Sequence, residues 1–218
     1  MSVHYKLFHS PGACSLAPHI VLEELGVPFE PVRVVIAEGA NRTPAYLTIN
    51  PRGRVPALEI SDERDTRILT EAMAIMVYLA RRHPELQLLA SDPEQCARTL
   101  EWMGWLGSTL HQTGIRTVLR PERFTKDAGG VAGISAQGQE AVASGYADLE
   151  QRMPHHGYAL GNRFTVLDAY LLVFYRWGGN IGLDMRVSYP RFAAVMDLVR
   201  SRPAVQRVVA REGISLGA

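Results

Sequence analysis

Ser10-Pro11-Gly12-Ala13-Cys14-Ser15 lies between a short apolar strand, Tyr5-Lys6-Leu7-Phe8, and an amphipathic helix predicted from about Cys14 to Leu25, where Gly26 and Pro28 stop it. A cysteine in the first turn of a helix faces unpaired backbone N–H groups and the positive end of the helix dipole. Both favour the thiolate, the form that reacts or is held as a charged acceptor. The same position also suits a small buried side chain, since free cysteine is among the most buried residue types.

Outward from this turn the first eighty or so residues alternate strand and helix. After the helix come a strand over Phe29–Ile36 and a short irregular helix near Thr43–Ile49. Asn50-Pro51-Arg52-Gly53 is a turn signal. Ala57–Ile60 and Arg67–Leu69, separated by the charged turn Ser61–Asp65, read as a hairpin, and a helix over Glu71–Arg82 ends at Pro84. This β-α-β plus β-β-α order implies a mixed four-stranded sheet with helices packed on it. Residues 85–92 read as a linker, and the remainder is helical. Ser91-Asp92-Pro93-Glu94 joins a cap to a proline just inside a long helix to about Leu119. Asp127–Gly133 reads as a loop, followed by helices over about Ser135–Met153, Ala169–Trp177, Tyr189–Arg200 and Pro203–Arg211. Thr165 and Asp168 form a second cap ahead of the Ala169–Trp177 helix. The expected domains are an α/β unit over 1–84 and an all-α unit over 93–218.

The bulk composition narrows the function classes. The chain has 218 residues, 47% hydrophobic and 21% charged, with a net charge of +1, so no electrostatic footprint for nucleic acid or an acidic membrane surface is expected. No apolar run is long enough to span a bilayer, and the first residues carry no signal-peptide pattern. Two cysteines, Cys14 and Cys96, make no disulfide framework, and a cytoplasmic location is the simplest expectation. Cys96 is read as core together with Leu100, Met103 and Leu106. The seven histidines show no metal-ligand spacing, and no metal is expected; His155-His156 reads as a solvated turn.

Three further places carry candidate chemistry. Val55-Pro56 precedes a strand, and a proline there fits either an ordinary trans start or a cis bond that turns the Val55 backbone groups outward. Thr70-Glu71-Ala72 marks a handover from hairpin to helix. Free N–H groups there suit a carboxylate and Glu71 suits an ammonium, although Glu71 also fits as a simple complement to the helix dipole. At helical spacing Gly104, Gly107 and Ser108 share a face with His111, which leaves room beside the helix for a ligand or for close helix–helix contact.

Taken in order, Pro-Gly-Ala-Cys14-Ser-Leu-Ala-Pro-His, Asn50-Pro-Arg-Gly53-Arg-Val55-Pro56-Ala-Leu, Leu69-Thr-Glu71-Ala72 and Arg163-Phe-Thr165-Val-Leu-Asp168-Ala-Tyr closely resemble the bacterial, beta-class glutathione transferases over nearly the whole chain. The resemblance implies a thioredoxin-like N-terminal domain, an all-α C-terminal domain and a homodimer, with glutathione as co-substrate and no prosthetic group. It places Cys14 at the catalytic cysteine, Val55 before the cis-proline Pro56, Glu71 and Ala72 at the γ-glutamyl site, and His111 near the sulfur, with Ser108 beside it. His9 stands where the family has a tyrosine, Gly104 where it has an asparagine and Gln112 where it has a lysine. The lysine for the glycyl carboxylate is absent, so Arg42 or Arg54 takes that place.

The expected activity is conjugation of glutathione to small, mostly apolar electrophiles. A glutathione-dependent thiol–disulfide reductase with Cys14 as nucleophile is the second expectation, and a non-catalytic binding protein of the same fold the third. Cys14 is expected to have a depressed pKa, with His9 as an imidazolium pairing with the Cys14 or glutathione thiolate.

Overall fold

The computed structural model describes residues 3–217; Met1, Ser2 and Ala218 lie outside them. Strand β1 (His4–His9) leads through the cysteine turn to α1 (Leu16–Leu25), β2 (Phe29–Arg33), α2 (Pro44–Ile49), β3 (Ala57–Ser61), β4 (Thr66–Thr70) and α3 (Ala72–Arg82). The four strands form one sheet in the order β2-β1-β3-β4, with β1 parallel to β2 and β3 antiparallel to both β1 and β4. This is the mixed sheet expected of the thioredoxin-like unit. Local chemistry ends these elements where the sequence asks. Gly26 closes α1 in the left-handed region at φ 65°, and Thr43 accepts from the Tyr46 N–H ahead of Pro44 at the start of α2.

The helical part comprises α4 (Pro93–Trp105), a π-helical segment (Leu106–Ile115), α5 (Arg116–Leu119), α6 (Val131–Arg152), α7 (Val166–Asn180), α8 (Met185–Ser188), α9 (Pro190–Arg200) and α10 (Pro203–Glu212). Asp92 accepts from the Gln95 N–H to cap α4. At α7, Asp168 Oδ2 accepts from the Thr165 N–H (2.8 Å) and hydroxyl (2.9 Å), while Oδ1 accepts from the Ala159 N–H (2.9 Å). Between the two parts, Leu88 and Leu89 are buried, and the Leu88 carbonyl accepts from the first N–H of α7. One apolar core runs through both parts: Leu7, Leu16, Ile20 and Leu58 belong to the same cluster as Leu106, Leu171, Phe174 and Phe192. Helix α1 packs on α3, α7 and α10.

The structure corrects several sequence expectations. Helix α1 begins at Leu16, so Cys14 lies in the turn before it, not in its first helical turn. Strand β2 stops at Arg33, and α6 starts at Val131, inside the stretch read as a loop. The helix expected unbroken from Pro93 to Leu119 changes to an i→i+5 ladder at Leu106, which shifts the helical phase around His111. Cys96 is half-buried with the Arg81 guanidinium 3.1 Å from its sulfur, and Leu100 is exposed, so only Met103 and Leu106 of that group are core.

Candidate active site

The turn that carries Cys14 is tied to itself and to α7 and α10 of the helical part. Ser15 Oγ accepts from the Ser10 N–H (3.0 Å) and donates to the Ser10 carbonyl (3.1 Å). The Gly12 N–H donates to Glu212 Oε2 (2.8 Å), and the Gly12 carbonyl accepts from Trp177 Nε1 (2.9 Å) and Arg176 Nη1 (3.2 Å). Gly12 is at φ 66°, which favours glycine, and the Arg176 guanidinium lies against the space a Cβ would take.

Cys14 Sγ lies 3.5 Å from the Val55 carbonyl, to which the thiol donates. Burial pushes the thiol up to about 11, and the nearby Glu71 charge acts in the same direction. The Cys14 and Ser15 N–H groups and Arg54 oppose this but do not outweigh it. The expected depressed pKa is therefore corrected: the sulfur sits two residues ahead of the helix, half-buried, and is held as a neutral donor. Val55 precedes a cis peptide bond to Pro56, and both are buried. The segment before them is fixed by Tyr46 Oη and Asn50 Nδ2, each 2.7 Å from the Arg54 carbonyl. Arg54 itself is exposed.

Glu71 is exposed and has φ 72°, the left-handed region that a residue with a side chain occupies only at a cost of about 1–3 kcal/mol. No side chain caps α3 after it, so the N–H groups at Ala72 and beyond are open to a ligand. Glu71 and Cys14 both act on the Tyr170 hydroxyl, whose pKa is raised chiefly by burial and then by these two neighbours. Tyr170 was not among the sequence candidates. It lies on one face of α7 with Phe174 and Trp177, an i, i+4, i+7 aromatic pattern, and its hydroxyl is 3.4 Å from where a Gly107 Cβ would stand. That pattern together with Gly107 was the available signal.

His111 packs on Trp177 with ring centroids 4.7 Å apart and meets Phe174 edge-on at 6.4 Å. Burial, then the charges of Arg116 and Arg54, push its imidazole down to about 4, so it is neutral at physiological pH. Ser108 is exposed, and its hydroxyl donates to the Gly104 carbonyl (2.8 Å) within its own helix. A Cβ at Gly104 would meet nothing within 4 Å, so that position borders open space.

His9 is not at this site. Residues Tyr5, Leu7 and His9 alternate onto one face of β1, and that face packs on α1. The His9 ring is 4% exposed, 4.8 Å from the His19 ring, and its Nδ1 is 3.3 Å from Glu212 Oε1. His19 Nδ1 donates to the same oxygen at 2.7 Å, with Arg211 Nη1 3.5 Å from the other ring nitrogen. The expected pairing of His9 with a thiolate is thus corrected, because His9 is committed to a buried carboxylate from the last helix. Hydrogen bonds from His19 and Gly12, with the His9 ring beside them, hold Glu212 down at about 2 against its burial. Burial also lowers His19, which is neutral and a donor. His9, His19 and Glu212 bring ligand-type atoms within 4.8 Å of one another, a cluster that no spacing along the chain reveals. Their contacts are those of a carboxylate held by donors.

Among the described residues no helix is long and apolar enough to cross a membrane. Residues 12–82 match the family described as glutathione S-transferase, N-terminal domain, and residues 132–211 match glutathione S-transferase, C-terminal domain. The chain is 34% identical to glutathione S-transferase GstA of Escherichia coli O157:H7, covering 96% of this chain and 99% of that one. It superposes on a glutathione transferase homologue from Sulfitobacter, solved with bound glutathione, at a TM-score of 0.89 and 33% identity, covering 98% and 100% of the two chains. A bacterial beta-class glutathione S-transferase of Sphingomonas chungbukensis gives a TM-score of 0.81 at 31% identity, covering 96% and 100%. The chain belongs to the glutathione S-transferase family, with beta-class bacterial enzymes among its structural neighbours.

Proposed function

We propose that this protein conjugates glutathione to small electrophiles, with Cys14 acting through a neutral S–H group. The observation that carries this reading is the Cys14 thiol donating to the Val55 carbonyl while burial holds it protonated. Such a donor can turn to the sulfur of glutathione and stabilise its thiolate, together with the Cys14 and Ser15 N–H groups and the Arg54 charge. Glu71 receives the γ-glutamyl ammonium, the open N–H groups from Ala72 receive the adjacent carboxylate, and Arg42 or Arg54 receives the glycyl carboxylate. Val55 and Pro56 present the backbone edge beside the cysteinyl part, and the Tyr170 hydroxyl is a second donor for the sulfur. Ser108 and His111 line the helical wall, His111 as a neutral ring.

In the reaction the glutathione thiol releases its proton to solvent. Its sulfur then forms a bond to the electrophilic carbon, and the leaving group departs with the bonding pair. His111, held near 4, is too weak a base to take that proton at neutral pH. A disulfide reductase would need Cys14 itself as thiolate, and burial works against that. We further propose that the enzyme is a cytoplasmic homodimer, with exposed Ile68, Met73 and Leu100 in the contact.

Substitution of Cys14 separates the enzymatic readings. With glutathione and a neutral chloronitrobenzene, Cys14→Ser keeps a donor and is expected to retain conjugation within about tenfold, whereas Cys14→Ala loses more. Equal, complete loss in both would mean that the sulfur is the nucleophile. Failure of the wild type to be retained on immobilised glutathione would reject the co-substrate.

A further inference from the structure

Arg42, Arg54 and Arg123 all lie close enough for their charges to act on Arg116, and Arg116 and Arg54 act in the same way on His111. Arg42 and Arg54 come from the α/β part, and Arg116 and Arg123 from the segment beyond His111. Arg42 lays its guanidinium against Gly53, where a Cβ would come within 2.9 Å of Nη1. Arg116 stands one π turn after His111, its backbone N–H donating to the His111 carbonyl. Its Nη1 donates to Gln112 Oε1 at 2.7 Å, but its Nε is buried without a hydrogen-bond partner. Among the described residues, the arginines in ion pairs with carboxylates are others, and none of these four is among them.

A half-buried guanidinium with an orphaned N–H and three cations near it is unfavourable in the free protein. Burial and the charges of Arg54, Arg123 and Arg42 all push the Arg116 pKa down, which reports the same repulsion. An anion reverses both penalties, and the planar fork of arginine suits a carboxylate. On the reading above, glutathione accounts for only part of this charge. Its glycyl carboxylate is taken by Arg42 or Arg54, its ammonium by Glu71 and its other carboxylate by the start of α3. Arg116 and Arg123 remain, with whichever of Arg42 and Arg54 glutathione leaves free; Arg116 follows His111, whose ring packs on Trp177.

We propose that the second substrate is an acidic electrophile, whose carboxylate pairs with Arg116 and Arg123 while its reactive carbon reaches the glutathione sulfur. This narrows the expected class from mostly apolar compounds to amphiphilic ones, and it rests on the conjugation reading. The π segment gives the device its geometry, because an i→i+5 step places Arg116 directly after His111 on the ladder.

The test uses the full chain at saturating glutathione and two chloronitrobenzenes, one with a ring carboxylate and one with the matching carboxamide. Each rate is divided by its uncatalysed rate with glutathione. The wild type is expected to favour the carboxylate at least tenfold in kcat/KM, with the preference eroding as salt is raised. Arg116→Gln should cut that ratio at least tenfold and Arg116→Lys less. Arg123→Gln, at an exposed position, should cut it without endangering the fold. A wild-type ratio near one, with the carboxamide still conjugated, overturns the acidic substrate and leaves conjugation standing. No catalysis of either compound overturns both.

Discussion

Glu212 is ionised beneath the cysteine turn because the Gly12 N–H and His19 donate to it, and removing the carboxylate would leave both unsatisfied. Glu212→Ala is expected to cost about 3–5 kcal/mol in denaturant unfolding, the range for breaking a buried charged network. Its pKa lies below the ordinary carboxylate value of 4.5, at about 2, so its contribution is present above 4.5 and lost as pH falls through 2. His19, lowered by burial, contributes with the same sign and begins to lose its share below its ordinary 6.5. Stability should therefore fall on acidification below about pH 6.5, and Glu212→Gln should flatten the lower part of that fall. His9→Phe is expected to lower the unfolding midpoint and to leave the pH profile of conjugation without a missing limb; loss of a limb near pH 6–7, where free histidine titrates, would return His9 to the chemistry. The placement of His9 was readable from the period of two along β1, since Tyr5, Leu7 and His9 share a face. Its partner was not, because Glu212 comes from the far end of the chain and only the packed fold brings the two together.

At the scale of elements, short polar signals read well and helix phase reads poorly. The caps at Thr43, Asp92 and Thr165–Asp168 are local hydrogen-bond chemistry, and each helix begins where its cap says. Asp168 is fully buried, and its three accepted bonds hold the start of α7 against Ala159. Asp168→Ala orphans the Ala159 and Thr165 N–H groups, so a loss of at least about 3 kcal/mol is expected in urea unfolding; a loss under about 1 kcal/mol would mean that the cap is redundant. The π segment could not be read, because apolar spacing reports a period only when it is unbroken, and an i→i+5 ladder leaves no residue signature of its own. Tyr170, the residue facing Gly107, lay outside the sequence reading although its i, i+4, i+7 spacing with Phe174 and Trp177 on α7 was legible. Cys14 was misplaced by two residues. A proline–glycine turn fixes that a helix follows, but the Ser10–Ser15 hydrogen bonds decide where it starts.

For the molecule as a whole, the order of strands and helices was legible, but the unity of the core was not. Helix α1 belongs to the α/β part by sequence, yet it lies against α7 and α10. Arg202 forms a two-pronged pair with Glu24 at 2.6 and 2.7 Å and stacks over Phe164, while Arg207 and Arg211 both reach Glu23. The two parts should therefore unfold together. Calorimetry is expected to show one transition, and two separated transitions would show that the shared core does not couple them. The cysteine turn sits at this junction, its Gly12 peptide groups held by α7 and α10 together, so the helical part sets the position of the sulfur.

The central claim is that this sulfur works as a neutral donor, and the pH dependence of Cys14 alkylation tests it most directly. Alkylation of the free protein, with the rate of Cys14→Ala subtracted to remove Cys96, should rise with an inflection near 11, the value to which burial pushes the thiol. An inflection at or below about 8.5, the value of an unperturbed cysteine, would contradict the account and make Cys14 a thiolate at neutral pH.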